Sequence, residues 1–106
     1  MTTNTTKIKT KEQFQELIDS NFTILIYFEL AGWNVCHDVY PRVLDIVESV
    51  GIPIWNIDIN EVKEVAGQNL VFTIPTILVF NESKEVLRES RFIDFENIKR
   101  ILSLLK

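Results

Sequence analysis

A three-layer α/β/α fold is predicted by three features of the chain. Strand-like and helix-like segments alternate over its first two thirds, the pattern of α/β units with right-handed crossovers. Residues 22–30 are rich in Ile, Phe and Tyr and apolar on both faces, as a central strand covered by helices on either side must be. Near the end, two strand-like segments are joined by the polar Asn81-Glu82-Ser83-Lys84. So short a link implies an antiparallel hairpin.

The elements follow in order. Residues 6–10 read as a short first strand. Residues 11–20 read as a helix, because Phe14, Leu17 and Ile18 share one face at helical spacing. The central strand, 22–30, comes next. A longer helix over 34–50 carries Val39, Val43, Ile46, Val47 and Val50 on one stripe, with Pro41 inside it as an expected bend and Gly51 as its stop. Residues 52–58 are the third strand and 60–68 a weaker helix. Strands 76–80 and 85–89 make the hairpin. The last helix is capped by Asp94 and buries Phe95, Ile98, Ile101, Leu102 and Leu105 on one face.

The composition bounds the function. The 106 residues, 46% of them hydrophobic, suit a single globular domain over 1–106 with a frayed end at 1–5. The net charge is −4 and no stretch is strongly basic, which argues against a nucleic-acid partner. No apolar run is long enough to span a bilayer. Cys36 is the one cysteine, so no intramolecular disulfide forms. With no signal peptide in the chain, a reducing cytoplasm is the expected compartment. Cys36 and His37 are the strong soft ligands and are adjacent. A metal site is therefore not expected, and neither is a cofactor. A direct Cys36–His37 pair is not expected either, since neighbours on a helix point about 100° apart.

The element order and several motifs together resemble the thioredoxin family. Ile74-Pro75-Thr76 followed by Ile77-Leu78-Val79-Phe80 is similar to the family's cis-proline loop and fourth strand. Phe28, Cys36 and Pro41 keep the family spacing of the central-strand Phe, the second active-site Cys and the helix Pro. Asn56-Ile57-Asp58 resembles the exit of the family's third strand. The resemblance covers nearly the whole chain after about residue 6. It implies a mixed five-stranded sheet in the order 1-3-2-4-5 with four helices.

The active-site stretch departs from the family. Thioredoxins carry Trp-Cys-Gly-Pro-Cys. The ungapped match puts Gly32-Trp33-Asn34-Val35-Cys36 there, so Trp33 replaces the first Cys. A gapped match sets Trp33 on the family Trp and also leaves one thiol. In the family, the first Cys lies at a helix N-terminus that stabilises its thiolate, and the second resolves the mixed disulfide. Two supporting residues are replaced as well. The family's buried Asp matches Tyr27, and its Lys partner on the third strand matches Ile54.

The resemblance thus implies a thioredoxin-like protein without disulfide reductase activity. The expected function is a protein- or peptide-binding module on the cis-proline face, with Trp33, Ile74 and Pro75 as binding residues. The enzymatic alternative is a monothiol oxidoreductase in which Cys36 is catalytic and forms mixed disulfides with glutathione or another thiol. Cys36 also reads as a small, half-buried apolar remnant of the family pair. Trp33 is readable as a partner anchor or as an aromatic folded over its own loop. A family Gly that leaves room for the partner before the last helix matches the region of Arg91 and Phe92. The charged stretches 11–16 and 82–91 read as solvated faces, and Tyr27 and Trp55 as core residues.

Overall fold

The computed structural model of the chain describes residues 5–30 and 38–105, with residues 5 and 6 described in their backbone. The elements are β1 (Thr5–Ile8), α1 (Lys11–Asp19), β2 (Ile24–Glu29), α2 (Val39–Val50), β3 (Ile54–Asp58), α3 (Lys63–Gln68), β4 (Thr76–Asn81), β5 (Lys84–Ser90) and α4 (Phe95–Leu105). They form one sheet in the order β1-β3-β2-β4-β5. The first three are parallel; β4 and β5 are antiparallel to their neighbours. Among the described residues, no helix is long and apolar enough to cross a membrane.

β2 is central because its side chains are buried in both directions. Ile24, Ile26 and Phe28 face the layer of α1 and α3, where Phe14 meets Phe80 edge-on at 6.0 Å. Leu25 and Tyr27 face the layer of α2 and α4, against Val43, Val47, Ile98 and Leu102. Period two along the strand and period 3.6 along the helices build the two cores.

The element ends differ from the sequence expectation for local reasons. β1 starts at Thr5, one residue inside the expected frayed end, because it pairs with Ile54. β3 starts at Ile54 and not at residue 52, since Pro53 has no N–H to give to a ladder. α3 starts at Lys63 and not at residue 60. The Asp58 side chain accepts from the Asn60 amide at 2.8 Å, and its carbonyl accepts from Glu61 and Val62. These bonds hold 59–62 as a turn.

In α2 as described, Pro41 occupies the first turn, where no amide has an intrahelical acceptor and none is lost. Residues 34–37 of the expected helix lie outside the described residues. Gly51 ends α2 at φ 83°, with its amide on Val47 O at 2.8 Å. The β4–β5 hairpin turns on Glu82 and Ser83, both at positive φ. The Ser83 hydroxyl donates to Ile18 O at 2.7 Å, tying the turn to the end of α1. A register shift between Val79 and Phe80 leaves Val86 extra in β5, a bulge that helps blunt this edge of the sheet. Asp94 caps α4 by accepting from the Asn97 amide at 3.0 Å.

Candidate functional site

The parallel strands β2 and β3 end together, at Glu29 and Asp58. β4 runs the other way, so its start lies beside the end of β2: Phe28 pairs with Thr76. The segment just before Thr76 therefore sits at the end of the sheet where α/β folds bind ligands.

That segment holds Ile74 and Pro75. Their peptide bond is cis, Pro75 is buried and Ile74 is half-buried against the core under α2 and α4. Its surroundings are pinned. The Thr76 hydroxyl donates to Thr73 O at 2.7 Å and lies 3.2 Å from the Ser90 hydroxyl. The Arg91 amide donates to Pro75 O at 3.1 Å. The Ile74 amide and carbonyl, by contrast, have no hydrogen-bond partner among the described residues.

Arg88 holds the approach to this loop. Its Nε and Nη2 each meet a Glu85 carboxylate oxygen at 2.9 Å. Nη2 also donates to Asn69 O at 2.7 Å, and Nη1 to Leu70 O at 3.3 Å. The hydrogen bonds that Arg88 donates to Glu85 raise the guanidinium above its usual value. The group therefore keeps its charge, and the fork its donors, across the neutral range. Residues 82–91 are largely exposed, and within that stretch Arg88 is tied both to Glu85 and to the loop's carbonyls. Arg88→Ala should cost about 1 kcal/mol, since solvent screens part of the pair. Hydrogen exchange at residues 69–72 should accelerate with it. Unchanged exchange there would show that the fork holds nothing.

Large apolar side chains stand exposed in the segments around the loop. Phe72 is 75% exposed and Phe92 85%. Leu70 is exposed too, at φ 57°. Phe72 precedes Pro75, and Phe92 follows the residue bonded to its carbonyl.

Beneath the loop lie Tyr27 and Ile54, the residues that the sequence match sets against the family's Asp and Lys, and both are packed in the core. Tyr27 is 0% exposed and meets Tyr40 edge-on at 4.8 Å. Ile54 is buried in the same core. A polar chain runs nearby, undetected in the sequence. The Tyr40 hydroxyl donates to Asn56 Oδ1 at 3.0 Å, and Asn56 Nδ2 approaches Glu29 Oε1 at 3.4 Å. Strand parity carried the signal: Glu29 shares a face with Tyr27, and Asn56 is the cross-strand partner of Tyr27. These bonds satisfy the buried Asn56 side chain.

Of the expected binding residues, the structure places Ile74 and Pro75 together at this face. Trp33 and Cys36 lie outside the described residues. Among the described residues, no three His, Cys, Asp or Glu side chains group as a metal site. Trp55 is half-buried and not a full core residue. It lines a groove of about 430 Å³ with Leu17, Phe22 and Pro53. This groove lies at the opposite end of β2 and β3.

Comparison with known proteins agrees with this geometry. The thioredoxin family model matches residues 5–103. A thioredoxin-like protein of Bacillus subtilis, YdfQ, is 38% identical over 78 residues, covering 73% of this chain and 70% of that one. Thioredoxin-1 of Saccharomyces cerevisiae is 26% identical over 84 residues, covering 78% and 82%. Among solved structures, a thioredoxin from Halobacterium salinarum superposes with a TM-score of 0.83 at 17% identity, covering 99% of this chain and 95% of its own. Thioredoxin of Fasciola hepatica gives 0.81 at 20%, covering 94% and 98%. These two likenesses show the fold.

Proposed function

We propose a binding function for this chain, which belongs to the thioredoxin family but holds a single cysteine. It receives an extended segment of a protein partner along Ile74, beside Pro75, and does not reduce disulfides by dithiol exchange. The observation that carries this reading is the Ile74 backbone. Its amide and carbonyl are without partners among the described residues, on a loop that Thr76, Arg91 and Arg88 hold in place. An edge of this kind accepts an added strand, whose main chain supplies affinity while flanking side chains supply specificity. Trp33 is proposed as a second anchor, because aromatic residues dominate interface energetics. We place the protein in a reducing compartment, the cytoplasm, where an unpaired thiol persists.

Affinity capture with wild type and Cys36→Ser under non-reducing conditions tests the reading. Both proteins should retain the same partners, and the Ile74 amide should exchange slowly in the complex and quickly in the free protein. Capture that disappears in Cys36→Ser, or is released by dithiothreitol, would instead establish mixed-disulfide chemistry at Cys36.

A further inference from the structure

Two adjacent residues beside Pro75 stand out, one by its backbone and one by its exposure. Arg91 holds φ at 65°, a conformation glycine adopts freely and a residue with a Cβ adopts under strain. Phe92, next along the chain, is 85% exposed, the highest value among the exposed large apolar residues described. The Arg91 amide on Pro75 O, at 3.1 Å, places both at the cis-proline loop. Strain and an exposed aromatic side chain at one point indicate a surface kept for a ligand.

Charge identifies the ligand. The carboxylates closest to Arg91 in sequence, Glu89 and Asp94, turn their oxygens to amides at the start of α4 and not to the guanidinium. Glu89 accepts from the Asp94 amide and from Asn97 Nδ2, and Asp94 accepts from the Asn97 amide. Among the described residues, the Arg91 guanidinium makes no ion pair; its neighbour is the Phe92 ring, 5.8 Å away. One unmatched cation suits a single carboxylate. A phosphate polymer would need several cations together, and the chain as a whole is acidic. We infer that Arg91 and Phe92 set the specificity of this face: they select a partner segment in which an Asp or Glu stands beside a large apolar side chain. The inference rests on the peptide-binding reading above. Arg91 would form the charge-assisted pair and Phe92 the apolar contact.

Selection from a random peptide library displayed on phage tests both layers separately. Wild type should enrich acid–apolar pairs. A synthetic peptide of the enriched sequence should bind about tenfold more weakly to Arg91→Gly, the size of a desolvated charge pair. Phe92→Ala should weaken it similarly. Arg91→Glu should reverse the preference towards the same peptide with its acid replaced by Lys. Arg91→Gly should melt no lower than wild type, since glycine relieves the backbone, so the loss is not misfolding. Enriched peptides without an acid, or an unchanged preference in Arg91→Glu, would overturn the inference while leaving peptide binding at Ile74 intact. No enrichment above the bare support would overturn the binding reading with it.

Discussion

Tyr27→Asp, the change that restores the family's carboxylate, should leave the chain unfolded at neutral pH. Tyr27 is wholly buried among Leu25, Val43, Ile54 and Ile77, and its ring packs edge-on against Tyr40. Truncating a core aromatic costs about 3–5 kcal/mol. An ionised carboxylate buried without a cation costs several more, and Ile54 stands where the family's Lys would. Together these match or exceed the roughly 5–15 kcal/mol that holds a domain of this kind.

The pH dependence has a definite sign. Burial would raise the new Asp above its unfolded value of about 3.9, so the folded state keeps its proton where the unfolded state has lost it. Stability then falls as pH rises through that window. Denaturant titrations at pH 4 and pH 7 should show Tyr27→Asp more stable at the lower pH relative to wild type. Tyr27→Phe, which keeps the ring, should stay within about 1.5 kcal/mol of wild type at both. A Tyr27→Asp protein as stable as wild type at pH 7 would contradict the packing described for β2.

How far the sequence could be read depended on the range of the interaction. The two-faced burial of β2, the stripe on α4 and the short β4–β5 link are local patterns, and each became the expected element. The ends of β3 and α3 depended on Pro53 and on bonds to Asp58, which hydrophobic periodicity does not register. At the site, Ile74 and Pro75 stood out through a family motif. Arg88 did not, because its carbonyl acceptors, Asn69 and Leu70, are far from it in sequence and an exposed charge reads as solvated. The Tyr40–Asn56–Glu29 chain was hidden for the same reason: its members come from α2, β3 and β2. The unpaired guanidinium of Arg91 becomes visible once the partners of Glu89 and Asp94 are known.

The chain should not accelerate the reduction of insulin by dithiothreitol. Reducing a disulfide delivers two electrons and two protons to its sulfurs. A lone thiolate supplies half of this: it attacks one sulfur, releases the other as a thiol, and remains joined to the first as a mixed disulfide. In a dithiol protein a second thiol of the same chain releases the mixed disulfide at once. Cys36 has no such thiol in the chain, so release falls to dithiothreitol from solution, which adds a second bimolecular step to each turnover. Tyr27 and Ile54, which the sequence match sets against the family's proton-transfer pair, are both buried in the core and supply no carboxylate or ammonium of their own. The direct measurement is the initial rate of insulin reduction by dithiothreitol with and without this chain, beside a dithiol thioredoxin at the same concentration. A rate equal to dithiothreitol alone is the result expected of a thioredoxin fold used for binding; a rate approaching that of the dithiol protein would contradict it.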